Sequence, residues 1–401
     1  MLLQNTFFAT FVHFMLKRIM PIFRLLLLSA IWSVACITHA QMQPAEEFKT
    51  SQGTGELTTV AALQNLGKQL LKGKTGSIVA IDPNNGEILC LATNSPTGED
   101  ASIAIARAHA PGSTIKVAQA LTFITTGIAG KATSATCKRG LSVDRSFIRC
   151  HKHYSPIALQ DAIAFSCNSW FLTQMMAMIA NRTLFSSQND ALNTWAEYMG
   201  SMGLGAPLGV DIAGEKGGLI PKPAYMNKRY KGRWNEKTIM WVGMGQGDIT
   251  VTPLQLCNLA ASIAGRGIYY TPHIHRDSDL HPLNTRYLIP NITMISPDAY
   301  DTVIQSMRWV MTKGTGKPVA SAVPMCGKTG TAENEGKDHS VFIGFAPMKQ
   351  PTIAISVFIE HGGWGADVAA PMASLMIEQY VKGSLSPASQ QRVKRFESMT
   401  L

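Results

Sequence analysis

The sequence predicts an α/β fold of the α+β type, one antiparallel sheet covered by helices. β-rich runs near both ends carry that expectation. Residues 76–82 and 87–93 flank the turn-former Pro83-Asn84-Asn85-Gly86 and read as a hairpin, while 324–332, 340–346 and 352–360 read as a meander. Stretches of helical periodicity lie between them, an order that suits a single sheet with helices packed on it. At 401 residues, 46% hydrophobic and 15% charged, the chain can bury a large core and lacks the composition of a disordered one.

Taken in order, residues 1–40 read as an export leader. Lys17 and Arg18 precede the apolar run 25–37, and Thr38-His39-Ala40 puts small residues at both cleavage positions. The run falls short of the ~20 residues of a spanning helix. Cleavage after Ala40 is expected, retention as a short membrane leader being the alternative, and Met15 would begin a more conventional signal. Residues 41–55 read as a linker, 56–383 as the main domain and 384–401 as a polar tail. Helices are expected over 57–71, from Ser113 to about Thr126, over 159–180 with a break near Ser166, and over 191–199. Thr252 stands as an N-cap before Pro253 and starts a helix to about Ala264. Residues 297–312 and 370–381 complete the helical set, and the basic, aromatic stretch 222–237 is expected to be a solvated loop. The net charge is +10, and without Lys17, Arg18 and Arg24 of the leader it is +7. That excess suits an anionic membrane surface or carboxylate-bearing substrates as well as nucleic acid, and no nucleic-acid partner is expected.

The chemistry centres on Pro111-Gly112-Ser113-Thr114-Ile115-Lys116. Pro and Gly stop the preceding backbone, and Ser113 stands where a helix begins, facing the positive end of its dipole. Lys116, three residues on, shares its helical face and can take the hydroxyl proton if burial or a second cation lowers its pKa. Ser-x-x-Lys alone is a weak signal. Two partners follow in order, Ser166-Cys167-Asn168 and Lys328-Thr329-Gly330, and the triplet is that of class A β-lactamases and penicillin-binding proteins. Gly327-Lys328-Thr329 is no phosphate-binding loop, because Ala322 stands where its first Gly belongs, and Gly314-Thr315-Gly316-Lys317 fails likewise at Pro318.

With these residues, the chain resembles the transpeptidase domain of class B penicillin-binding proteins, most closely the elongation type similar to penicillin-binding protein 2. The likeness runs over about 57–381 and includes 76–88, 111–116, 166–171, 243–247, 250–255 and 327–332. It implies the penicillin-binding protein/serine β-lactamase-like fold, and attack by Ser113 on the D-Ala-D-Ala carbonyl of a peptidoglycan stem peptide. It makes Lys116 the base, with Ser166 and Asn168 relaying protons and holding the substrate amide. Lys328 would depress the Lys116 pKa and attract the terminal carboxylate. Thr329, Gly330 and Thr331 form the substrate-binding stretch, Thr329 bonding the carboxylate. The N–H groups of Ser113 and Thr331 would form the oxyanion hole. β-Lactam antibiotics would be covalent inhibitors, the workplace would be the periplasm or the outer face of the cytoplasmic membrane, and membrane-surface and elongation proteins would be partners. Such proteins usually carry a membrane helix and a pedestal domain, whereas about 16 residues here separate leader and first match.

Of seven cysteines, Cys36 lies in the leader, and Cys90, Cys257 and Cys326 are expected in the core. Cys137, Cys150, His151, His153 and Cys167 share a polar stretch leading to Ser166. Three thiolates and an imidazole make a closed zinc set, a Cys137–Cys150 disulfide is the rival, and free thiols are the third reading. Elongation-type relatives place zinc ligands in the corresponding loop, some of them Asp, and that likeness selects Cys137, Cys150, His153 and Cys167. A structural zinc is then the candidate cofactor, with none needed for catalysis. The rival functions are a D,D-carboxypeptidase, a serine β-lactamase, for which no deacylating base can be named, and a β-lactam-sensing module.

Overall fold

The computed structural model describes residues 56–319 and 321–401, so the expected leader 1–40 and linker 41–55 lie outside the described residues. Helix α1 (Ala61–Leu71) buries Leu63, Leu66, Leu70 and Leu71, the stripe that helical periodicity dictates. Strands β1 (Gly76–Ile81) and β2 (Ile88–Asn94) form the expected hairpin. A 3₁₀ turn (Gly112–Ile115) leads into α2 (Lys116–Thr125), followed by a small hairpin of β3 (Gly140–Val143) and β4 (Ser146–Arg149). Helices α3 (Leu159–Ala164) and α4 (Asn168–Ala180) flank the expected break. Then come α5 (Gln188–Ser201), α6 (Pro223–Tyr230), α7 (Pro253–Ala264) and α8 (Pro297–Thr312). The closing meander is β5 (Cys326–Ala332), β6 (His339–Ala346) and β7 (Ile353–Ile359), and α9 (Ala369–Lys382) and α10 (Pro387–Glu397) end the chain.

The sheet has five strands in the order β2-β1-β7-β6-β5, every neighbouring pair antiparallel. The register Gly76↔Ile359 to Ile81↔Ala354 inserts the last strand beside the first. Helices cover both faces. On one, Gln64 of α1 bonds the Leu91 backbone and α9 packs beside it. On the other, Ser356 donates to Pro253 O of α7 at 2.7 Å and Cys257 Sγ to Val79 O at 3.3 Å. Burial on both faces explains why β1, β6 and β7 read as unbroken buried runs and not as alternating ones. β5 is one of the two edge strands, and its free side is covered by the 3₁₀ turn.

Three expectations need correction. The nucleophile segment is not helical from Ser113; it opens as a 3₁₀ turn, and the α-helix starts at Lys116. The stretch 222–237 is not a plain solvated loop. It carries α6, buries Trp234, whose Nε1 donates to Asn227 Oδ1 at 2.8 Å, and gathers Arg229, Tyr225 and Tyr230 on Asp248. The aromatics there are packing residues, while Lys222, Lys228, Lys231 and Arg233 stay exposed. The tail 384–401 contains the docked helix α10: Ser386 caps it, accepting from Ser389 N at 3.3 Å, and Val393 and Phe396 are buried where it packs on α1. Two apolar residues three apart suffice for docking when a waiting groove receives them.

Candidate active site

Close approach of backbones builds the floor of the site. Gly112 has φ +53°, and a Cβ there would fall 2.5 Å from Thr331 O on β5. Its N–H donates to Gly245 O at 3.0 Å, and a Cβ on Gly245, at φ +83°, would fall 2.0 Å from Gly112 O. Only glycine fits either place. The turn bearing Ser113 is thereby pressed between the edge strand and the 243–247 loop. Thr114 Oγ1 closes the turn by donating to Pro111 O at 2.6 Å. Ser113 is half-buried and lines a cleft of about 320 Å³.

Lys116 is fully buried and points to the α3–α4 break. Its Nζ donates to Ser166 O at 2.9 Å and Asn168 Oδ1 at 2.6 Å, and lies 3.2 Å from Ser166 Oγ. Lys328, equally buried, donates from β5 to the same Ser166 Oγ at 3.0 Å and to Thr329 O at 2.9 Å. Ser166 holds φ +57°, a left-handed conformation uncommon for a side-chain-bearing residue and concentrated at functional sites. Its neighbour Cys167 caps α4, Sγ accepting from Trp170 N at 3.4 Å, which fixes the break. The three motifs expected from the sequence thus meet on one hydroxyl.

The electrostatics follow from the burial. Desolvation brings Lys116 down to about 8, with the Cys150 and Cys167 thiol groups pulling weakly the other way. Desolvation and the Lys116 charge hold Lys328 well below the ordinary lysine range. Two ammonium groups sharing one hydroxyl in a dry site repel, so the pair titrates as a unit and favours a single positive charge. A neutral Lys116 has two N–H groups for its two carbonyl partners and a lone pair left to accept a proton.

Further residues line the cleft without having been singled out as site residues. Thr315 Oγ1 meets Thr329 Oγ1 at 2.6 Å and comes from the failed phosphate-loop segment. Gln246, Arg149, Glu333, Asp338 and Trp364 line the cleft as well. His151 lies 5.4 Å ring to ring from Trp364, and burial with two neighbouring lysines brings it to about 4, so it is neutral near pH 7. Gln246 had a sequence signal in its place within Gly243-Met244-Gly245-Gln246-Gly247, and His151 had one only as a member of the cysteine-rich stretch.

Below the cleft, ligand atoms of Cys137, Cys150, His153 and Cys167 all lie within 4.8 Å of one another. None of the six described cysteines forms a disulfide. Cys150 Sγ is 3.3 Å from His153 Nε2, while His153 Nδ1 is 2.6 Å from Tyr154 O, which leaves Nε2 as the inward atom. Asn168 N donates to Cys150 Sγ at 3.2 Å and Ser169 Oγ to Cys137 Sγ at 3.2 Å. The hydrogen bond from the Cys167 thiol, with the His153 contact and the Lys116 charge, brings Cys150 to about 4, while donating that bond, burial and the adjacent Cys150 thiolate push Cys167 up. His151 is not part of this group.

Residues 76–378 match the family described as the penicillin binding protein transpeptidase domain. The chain belongs to that family. It is 30% identical to the peptidoglycan D,D-transpeptidase MrdA of Acinetobacter baumannii, over 82% of this chain and 54% of that protein. It is 24% identical to the peptidoglycan D,D-transpeptidase PbpA of Mycobacterium tuberculosis, over 77% of this chain and 67% of that one. The chain therefore spans about half the length of the MrdA relative. The crystal structure of Pseudomonas aeruginosa PBP2 in complex with WCK 5153 superposes with a TM-score of 0.72 at 25% identity, over 83% of this chain and 77% of that one. The penicillin-binding-protein fold expected from the sequence is the observed one.

Proposed function

We propose that this chain is a penicillin-sensitive peptidoglycan D,D-transpeptidase. The observation that carries the reading is the Ser166 hydroxyl held between two buried lysines beside Ser113. Ser113 Oγ attacks the carbonyl between the two terminal D-alanines and gives its proton to neutral Lys116. The N–H groups of Ser113 and Thr331 hold the oxyanion, worth ~10²–10³ in rate per donor in related acyl transfers. As the tetrahedral intermediate collapses, the proton returns through Ser166 to the leaving D-Ala amine, and the acyl group stays on Ser113. An acceptor amine from a second stem peptide then attacks the ester, loses its proton along the same path and frees Ser113. Lys328 and Thr329 hold the substrate carboxylate, with Gly330 leaving room beside the turn. β-Lactams enter by the same attack and leave a stable ester.

The Cys137, Cys150, His153 and Cys167 set fits zinc, because it offers three thiols and one imidazole nitrogen in one place. Bound there, zinc would supply structural bracing of the loop carrying Asn168 and no chemistry at the scissile bond. The residues themselves orient the Asn168 amide. The leader, read as a signal, would deliver the chain outside the cytoplasmic membrane, where its substrate lies. A Helicobacter pylori PBP2 structure contains MreC, which makes a cell-wall elongation protein the partner to test.

Fluorescent penicillin followed by a chase distinguishes the readings. A long-lived adduct supports a penicillin-binding transpeptidase, rapid release indicates a β-lactamase, and no adduct an inert module. Incubation with a stem-peptide donor and an amine acceptor then reads cross-linking against carboxypeptidase release. N-terminal sequencing of the mature protein tests the leader, a start at Gln41 marking cleavage.

A further inference from the structure

The hairpin β3–β4 stands at the mouth of the cleft with an outward face that catalysis does not use. Along β4, Ile148 turns inward with Val143 onto Leu172, Met240 and Met244. Alternation therefore puts Phe147 and Arg149 together on the opposite face. Phe147 is 56% exposed. Its ring lies across β3 at Gly140, where a Cβ would fall 2.5 Å from Phe147 Cζ, and Gly140 is the register partner of Arg149. Arg149 is exposed, makes no ion pair with a described residue, and lines the cleft together with Ser113. A lone exposed phenylalanine is ordinary. An aromatic face beside an unpaired guanidinium on the rim of a reactive cleft is not.

The two groups complement one chemistry. An aromatic face takes the C–H face of a pyranose ring, and the guanidinium fork takes a carboxylate on its substituent. The platform is also tied to the catalytic groups. Cys150 N donates to Arg139 O at 2.9 Å at the hairpin base, and Asn168 Nδ2 donates to Arg149 O at 2.8 Å. Asn168 in turn receives Lys116. Those bonds link the hairpin backbone to the groups around Ser113. We propose that the outward face of β3–β4, Phe147 with Arg149, is a subsite for the sugar-and-carboxylate portion of the polymeric substrate, running from the cleft lining at Arg149 out to Phe147. This rests on the transpeptidase reading above and names where the polymer lies.

Pelleting of the full chain with insoluble peptidoglycan sacculi tests it, alongside the rate of fluorescent penicillin acylation. Phe147→Ser and Arg149→Gln should each lower retention roughly three- to tenfold, as loss of one stacking or charge-assisted contact predicts. Ser113→Ala should be retained like the unaltered chain. Phe147→Ser should keep its penicillin acylation rate, because Phe147 does not line the cleft and the small probe does not reach it; that rate also certifies the fold. Undiminished retention of Phe147→Ser overturns the proposal. So does capture of the chain by phosphatidylglycerol vesicles in place of sacculi, which would assign the face to lipid headgroups. Pelleting needs no chemistry, so absent penicillin labelling would strike the acyl-serine reading while retention still decides the subsite.

Discussion

At the scale of single residues, the proposed chemistry turns on how one proton is shared among Lys116, Ser166 and Lys328. Lys116, brought to about 8 by burial, cannot accept a proton while it is an ammonium. Acylation of Ser113 by penicillin should therefore rise from about pH 6 and level off above about 8 as Lys116 loses its proton. A flat profile in rapid-mixing measurements contradicts Lys116 as the base. The stability sign follows from the same shift. Between about 8 and the ordinary value of 10.5 the unfolded chain holds a proton that the folded chain lacks. Burial of Lys116 thus costs stability below its folded pKa, and the cost fades as pH climbs through that window. Lys116→Ala should slow acylation by ~10²–10⁴-fold with the fold retained, as loss of a general base does. Gly112→Ala should also slow acylation severely, because its Cβ would press 2.5 Å from Thr331 O and push the turn off the edge strand. An unaltered rate for that variant would show that the turn and strand need not touch.

At the scale of elements, the loop before α4 and the helix α10 carry the clearest expectations. If the four-residue cluster binds zinc, elemental analysis gives about one metal per chain, and Cys150→Ser loses both the metal and part of the thermal stability. A metal-free protein of unchanged melting temperature counts against it. Phe396, buried on α10, should cost about 3 kcal/mol on change to Ala, read by denaturant unfolding. A change near zero would show that α10 is not docked in solution. The legibility of elements follows their burial. The sheet strands and helices α7 and α8 were readable because burial imposes long apolar runs or because Thr252 and the prolines mark their starts. Helix α10 was unreadable because Val393 and Phe396 are its only buried apolar residues, set among charged neighbours. The hairpin β3–β4 was missed for a related reason: its four-residue strands are rich in exposed polar groups and pack through little more than Val143 and Ile148.

At the scale of the whole molecule, the site assembles from segments far apart in the chain, and its legibility was uneven. Ser113, Lys116, Ser166, Asn168 and Lys328 stood out because the proposed acyl transfer uses those residue types in short motifs of fixed local spacing. Thr315 and Trp364 did not, because loops converge through tertiary packing that leaves no periodic trace. Thr315 was dismissed with a failed phosphate loop, yet the same loop donates Thr315 N–H to Ala164 O at 3.0 Å and so sits against the α3 end. The central claim is that Ser113 alone is the nucleophile of this cleft. The most direct measurement is mass spectrometry of a tryptic digest after β-lactam treatment. One adduct is expected, on the peptide spanning residues 108–116, lost in Ser113→Ala; an adduct on the 153–182 peptide that holds Ser166, or one that survives Ser113→Ala, would contradict Ser113 as the nucleophile.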